Sequence, residues 1–200
     1  MVVTPTTGLI LLAAGGSSRL GRPKQLVEYQ GQPLLRRAAE TALASHCRPV
    51  IVVLGAEAEA CAKVLEGLPV RVVVNAEWQE GLASSIRAGV ATLARENSFI
   101  SSAILSVADQ PQLTAPLLNA LLEQNKITGR KIVAAQYAGA PGPPALFDVS
   151  LFAQLQMLRG DEGARRVLLA NPGEVALVPF PAGALDVDTP DDYARLRASP

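Results

Sequence analysis

The run Leu11-Leu12-Ala13-Ala14-Gly15-Gly16-Ser17-Ser18-Arg19-Leu20-Gly21-Arg22-Pro23-Lys24 gathers small residues and cations into one short stretch. Small side chains from Ala13 to Gly16 let backbone N–H groups come close to a phosphate or a base and form an anion-binding concavity. Arg19 and Lys24 add positive charge around it. A reaction that builds negative charge on phosphorus and on departing pyrophosphate needs preorganised cations of this kind. Two familiar phosphate loops are excluded by spacing. A Walker loop needs Gly-Lys followed by Ser or Thr, but Gly21 is followed by Arg22-Pro23-Lys24-Gln25. A dinucleotide fingerprint needs G-x-G-x-x-G, and Gly15, Gly16 and Gly21 do not fit it.

Three further clusters carry chemistry-bearing residues. Asn75, Trp78, Gly81, Ser84, Ser85 and Gly89 fall at the end of an expected strand and the start of an expected helix. By pattern alone, they read equally as a ligand-facing helix start or as a Gly-started helix with Trp78 packed on it. Ser106-Val107-Ala108-Asp109-Gln110-Pro111 puts a carboxylate at the C-terminal end of an expected central strand. From there it can reach over the sheet edge and hold a hard divalent cation such as Mg²⁺, although an isolated Asp-x-Pro is ordinarily a turn. In Leu185-Asp186-Val187-Asp188-Thr189-Pro190-Asp191-Asp192, Thr189 is a good cap for a last helix, and the clustered acids suit a helix N-terminus.

The elements that must position these residues alternate strand and helix. Expected strands lie at residues 9–13, 50–54, 70–74, 103–107, 131–136, 175–178 and 185–187. Expected helices lie at 33–44, 56–65, from Gly81 onward, at 114–124, as a pair broken at Arg159-Gly160-Asp161, and from Pro190. Residues 139–144 read as a Gly/Pro-rich turn. This alternation predicts an α/β fold, a three-layer open and mainly parallel sheet with helices on both faces. In such a fold, ligands bind beyond the C-terminal strand ends.

The chain has 200 residues, expected to form one domain. Hydrophobic residues are 49% but aromatics only 4%, so Ala, Val, Leu and Ile must fill the core. That composition suits buried parallel strands. Eighteen basic residues balance eighteen acidic ones and are scattered, which argues against a nucleic-acid surface. The opening residues lack a charged n-region, and residues 9–14 are too few to span a bilayer. A cytoplasmic location is expected. Cys47 and Cys61 lack metal or redox spacing and read as buried packing residues. His46, the sole histidine, reads as a helix-end residue.

Leu12-Ala13-Ala14-Gly15-x-x-x-Arg19-x-Gly21-x-x-Lys24 resembles the signature of the molybdenum cofactor cytidylyltransferase family, within the MobA-like nucleotidyltransferases. The LAAG form with Ser17 is similar to the cytidylyltransferase branch, where the guanylyltransferase branch carries LAGG. The resemblance runs from Gly8 to Leu196, with motifs in matching order. It implies a Rossmann-like nucleotidyltransferase fold and transfer of CMP from CTP to the terminal phosphate of the molybdenum cofactor, with release of pyrophosphate and dependence on Mg²⁺. It also implies roles: Arg19, Lys24 and Asp109 catalytic; Leu12, Ala13, Ala14, Gly15, Gly16, Ser17, Lys24, Asn75, Gly81, Ser84 and Ser85 nucleotide-binding; Asp109 and Asp188 metal-binding. Gly142-x-Pro144-x-x-Phe147 and Gly160-Asp161-x-Gly163-Ala164-Arg165 match segments that border the acceptor. The chain departs from the family pattern at Pro143, where a polar residue is common, and at Ala140-Pro141, where Arg is common. The implied partners are CTP, the cofactor, and a molybdoenzyme or its chaperone, with neither nucleic acid nor membrane. Two rival readings are transfer to a sugar phosphate or another phosphorylated small molecule, and non-catalytic nucleotide binding during molybdoenzyme maturation.

Overall fold

The computed structural model describes residues 6–17, 20–96, 98–185 and 189–198. Its first strand, β1 (Thr6–Ala13), is apolar and wholly buried from Gly8 onward. A strand flanked on both faces needs such a run, because alternate side chains enter opposite layers. Leu9, Leu11 and Ala13 join one core cluster, while Ile10 and Leu12 join the other. β4 (Val50–Leu54) divides in the same way. It pairs in parallel with β1 and with the edge strand β5 (Arg71–Val74). On the other side of β1 runs β6 (Ile100–Val107), also parallel. A short antiparallel hairpin, β2 (Glu28–Tyr29) and β3 (Gln32–Pro33), lies outside this sheet.

Beyond β6 come β8 (Ala140–Asp148), β7 (Ile132–Tyr137) and β9 (Val175–Pro179), giving seven strands in the order β5-β4-β1-β6-β8-β7-β9. Only β8 runs against the rest, antiparallel to both β6 and β7. One face is covered by α1 (Leu34–Ala44), α2 (Ala58–Val64) and α4 (Ala115–Thr128). The other is covered by α3 (Leu82–Glu96), α5 (Phe152–Gln156) and α6 (Arg165–Ala170). The expected three-layer, mainly parallel α/β architecture is the observed one. The terminal helix α7 (Pro190–Ala198) instead contributes Leu196 to a third cluster with Leu20, Val27, Tyr29 and Leu34.

The main departure is β8. Residues 139–144 read as a turn because they hold Gly and Pro, yet the turn is only Ala138-Gly139, both at positive φ (49° and 76°), as a tight hairpin requires. Ala140 to Gly142 already pair with β7. Register then shifts from Ala135↔Gly142 to Ala134↔Ala145, so Pro143 and Pro144 are skipped and their missing N–H groups interrupt no ladder. β6 pairs with β8 only from Ala145 to Asp148, so the Ala140 end overhangs the sheet. The β2–β3 hairpin was not legible in the sequence, being two residues per strand. Of the strand expected at 185–187, Leu185 is irregular and the remainder lies outside the described residues.

α3 lies unusually close to the sheet through Gly89. A methyl group there would collide with Ile10 Cγ2 and stand 3.2 Å from Val53 Cγ2, both in the buried layer. Gly89→Ala should therefore lower stability by about 1–3 kcal/mol through overpacking, despite alanine's better helix propensity. Urea unfolding measures this, and an unchanged midpoint would contradict so tight a helix-to-sheet approach.

Candidate active site

β1 and β6 end side by side, and Ala108 N donates to Leu12 O at 3.2 Å just past their last residues. The loop after β1 and the Asp109 turn are therefore adjacent, 85 residues apart in sequence. A cleft of about 540 Å³ opens there, lined by Leu12 to Gly16, Lys24 and Gln25 on one side and Val107 to Asp109 on another. Trp78, Gln79, Gly81, Leu82, Ser85 and Asp161 complete it.

At its floor, Lys24 Nζ forms an ion pair with Asp109 Oδ2, and both side chains keep limited exposure, 22% and 15%. Asp109 Oδ1 is buried and has no hydrogen-bond partner among the described residues. A buried carboxylate oxygen without a donor calls for a cation or water, and a hard divalent ion is the ligand such an oxygen suits. Asp109 therefore fits the metal role implied for it. The other expected ligand, Asp188, and the expected catalytic Arg19 lie outside the described residues.

The loop itself is held in part by Gln25, which the sequence did not single out. Gln25 is buried, and its Nε2 donates to Ala13 O (3.0 Å) and Gly15 O (2.7 Å). Its Oε1 accepts from Ser17 Oγ at 3.4 Å, and that oxygen accepts from Lys24 N at 3.0 Å. Ser17 sits at φ 53°. Its hydroxyl thus closes the loop back on Lys24. From outside, α7 clamps the same segment: Tyr193 OH donates to Glu28 O at 3.1 Å, and the Arg22 guanidinium lies 4.5 Å from the Tyr193 ring centroid. No periodicity marks Gln25, since one buried polar residue in an irregular loop looks like any exposed one.

The α3 side of the cleft is built in layers. Asn75 and Ser84 are buried behind the wall and do not line the cleft, whereas Ser85 and Gly81 do. Asn75 Nδ2 donates to Ser84 Oγ (2.8 Å) and Ser85 Oγ (3.1 Å), and Ser84 Oγ donates to Gly81 O at 2.8 Å. Asn75 consequently aims Ser85 and fixes the helix start. Gly81, at φ 121°, faces Gly160 so closely that a Cβ would stand 2.5 Å from its carbonyl oxygen. Ala83 N donates to that same Gly160 O at 3.0 Å. Arg87 grips Glu80 through two N–H donors (2.8 and 2.5 Å) and Leu158 O at 2.9 Å, while Glu80 Oε1 accepts from Gly160 N. The Arg87 hydrogen bonds hold the Glu80 carboxyl below its ordinary pKa and raise that of Arg87. This lashing brings Asp161 into the cleft, although its segment matched an acceptor-bordering motif.

Both cysteines are free and buried, as expected, and burial pushes the Cys61 thiol up to about 11. His46 is exposed just past α1, its backbone N–H on Asn119 Oδ1 at 2.8 Å. Among the described residues, no helix is long and apolar enough to cross a membrane.

An open α/β sheet with a small-residue loop after its first strand and a carboxylate at the end of its neighbour puts a cleft at the strand C-termini, where folds of this class bind their ligands. The family model for the MobA-like NTP transferase domain matches residues 9–175, and the chain belongs to that family. It is 38% identical over 200 residues to nicotine blue oxidoreductase of Paenarthrobacter nicotinovorans, covering 94% of each chain. It is 24% identical to the molybdenum cofactor cytidylyltransferase of Escherichia coli, covering 92% of each. Among solved structures, it resembles Rv0371c of Mycobacterium tuberculosis (TM-score 0.84, 31% identity, 98% of this chain and 100% of that one). A manganese complex of Rv0371c is also similar (TM-score 0.80, 29% identity, 98% and 100%).

Replacing Gln25 by Ala removes a side chain that bridges Ala13 O and Gly15 O. Stability should fall by about 1–3 kcal/mol, the cost of leaving the buried Ala13 O without this donor, and KM for the nucleotide should rise more than kcat falls. Urea unfolding and steady-state kinetics check this. Wild-type KM in Gln25→Ala would show that the loop holds its shape without that clamp.

Proposed function

We propose that this chain is a cytoplasmic, single-domain, Mg²⁺-dependent nucleotidyltransferase that moves CMP from CTP to the terminal phosphate of the molybdenum cofactor and releases pyrophosphate. The observation carrying this reading is the Lys24–Asp109 pair at the cleft floor, with Asp109 Oδ1 buried and unpartnered among the described residues. The family membership and the likeness to a cytidylyltransferase support the reaction class and the nucleotide. The manganese complex of a similar protein supports use of a divalent metal.

In this reading, the backbone from Ala14 to Ser17 receives the phosphates, and Lys24 lays its ammonium against the charge that grows on the α-phosphate and on the leaving group. Arg19 adds a second cation. An oxygen of the acceptor phosphate attacks the α-phosphorus in line, the bond to the β-phosphate oxygen breaks, and pyrophosphate takes the electron pair. Asp109 would hold Mg²⁺, with Asp188 as the second ligand. When bound, the ion supplies Lewis-acid polarisation of the phosphoryl oxygens. Gly81 and Ser85 border the base and ribose, and Asn75 with Ser84 keep them in place. The chain's own contribution is positioning and charge stabilisation. A molybdoenzyme or its chaperone receives the product.

CTP should be preferred over GTP, ATP and UTP in a pyrophosphate-release assay with and without molybdenum cofactor. Base discrimination by hydrogen bonding amounts to several kcal/mol when a mismatch leaves buried groups unpaired, so the preference should be large. Equal turnover of GTP and CTP with the same acceptor would sink the assignment.

Asp109→Asn retains shape and removes the charge that holds the cation. Turnover should drop by roughly a hundredfold or more, the scale of lost transition-state charge stabilisation, and the Mg²⁺ concentration for half-maximal rate should rise. Metal-free CTP binding should change little. Unaltered magnesium dependence would make Asp109 a turn residue only.

A further inference from the structure

Trp78 is the only tryptophan of the chain, and it lines the cleft together with Gly16. It opens a single 3₁₀ turn (Trp78–Glu80) that leads into Gly81 and α3. A Cβ placed on Gly16 would stand 3.2 Å from Trp78 Cζ3 and 3.3 Å from Trp78 Cη2. Non-bonded carbon atoms settle at about 3.5–4.0 Å, so the benzo edge of the indole already occupies the space that a side chain at 16 would need. Backbone conformation makes no such demand. The φ of Gly16 lies outside the left-handed region, unlike that of Ser17 (53°) or Gly21 (71°). At Gly15, one residue earlier, a Cβ would meet no atom within 4 Å. Trp78 is therefore what excludes a side chain from position 16.

The indole has little room to retreat. At Gly55, just past β4, a Cβ would stand 2.6 Å from Trp78 Cβ and 2.7 Å from Ala14 O, so the missing side chain admits both. Gly81 N donates to Trp78 O at 3.2 Å, and Glu77 N donates to Asn75 Oδ1 at 3.0 Å, which hold the turn at its two ends. Ala56 N donates to Ala14 O at 3.0 Å and ties the start of the loop to the same corner. The end of β4 thus seats both Ala14 and the root of Trp78, while the ring tip reaches over to Gly16.

We propose that Trp78 is a positioning residue for the phosphate-receiving loop: its indole sets where the Gly16 backbone lies, and glycine at 16 and tryptophan at 78 form a matched pair. The proposal rests on the nucleotidyl-transfer reading, in which residues 14–17 receive the phosphates. It adds a side chain from the α3 wall that acts through the loop. Backbone N–H donors bind an oxygen well only over a narrow range of distance and angle, so a small displacement of Gly16 costs affinity. Since the same turn leads into Gly81 and Ser85, the indole also keeps the phosphate loop and the α3 wall in one register.

The test is isothermal titration of the full chain with Mg²⁺ and an α,β-methylene analogue of CTP, on variants shown to be folded by circular dichroism. Gly16→Ala should weaken binding by about tenfold, the scale of overpacking against a ring that cannot move away. Trp78→Phe should weaken it by a similar factor, because a phenyl ring ends short of Cζ3 and Cη2 and leaves the loop unsupported. The double variant should recover to within about threefold of wild type, since the new methyl fills the space the shorter ring leaves; coupling of this size is expected only between residues in contact. Gly15→Ala should gain nothing from Trp78→Phe. Trp78 emission reports the same contact without ligand: Gly16→Ala should move its maximum, and Gly15→Ala should not. Additive losses of roughly a hundredfold in the double variant, wild-type affinity and emission in Gly16→Ala, or equal rescue of Gly15→Ala overturn the proposal. A wild-type chain that binds no nucleotide overturns the transfer reading instead, and the emission contrast between Gly16→Ala and Gly15→Ala then decides the matched pair by itself.

Discussion

The ion pair between Lys24 and Asp109 is the interaction on which the rest of the site depends. It joins the loop leaving β1 to the turn leaving β6, and both ends are partly shielded from water. Removing charges from water is costly, so a shielded pair holds its geometry mainly because losing one partner leaves the other uncompensated. Here the cation consumes only one carboxylate oxygen. The second is buried and has no hydrogen-bond partner among the described residues, an arrangement that a divalent ion or water would satisfy.

Around that pair, the structure spends most of its hydrogen bonds on keeping backbone in place. Gln25 and Ser17 shape the loop from within, and α7 presses on it from outside through Tyr193 and Leu196. Across the cleft, the Glu80–Arg87 grip and the Gly81–Gly160 approach fasten the 158–163 segment to the start of α3. Few of these residues touch the space a ligand would fill. They hold small residues and N–H groups at fixed positions, which is what stabilising a spread-out phosphoryl charge demands.

Membership of the MobA-like family fixes the nucleotide side more firmly than the acceptor side. Similar proteins bear names as different as an oxidoreductase and a cytidylyltransferase while sharing nearly the whole chain length. Beside the Lys24–Asp109 cleft, an overhanging hairpin and the start of α6 wall a second, apolar cavity.

The amino-acid sequence by itself determined the strand-and-helix order, the two-sided burial of β1 and β4, the loop at 12–24 and the carboxylate at 109, because each is written in local spacing. Periodicity and small-residue runs are properties of neighbouring residues. β8 was misread because three prolines and two glycines between Gly139 and Pro144 signal a turn locally, while the bulge opposite Ala134 and Ala135 absorbs two of those prolines. Asn75 and Ser84 lay on a motif, yet only packing decided that they stand behind the cleft wall and Ser85 within it. The roles of Gln25, of Asp161 and of the apolar cavity were likewise decided by tertiary structure. Each depends on which side of a buried surface a side chain faces, and that follows from partners distant in sequence, as with Leu12 and Leu168 around one cavity.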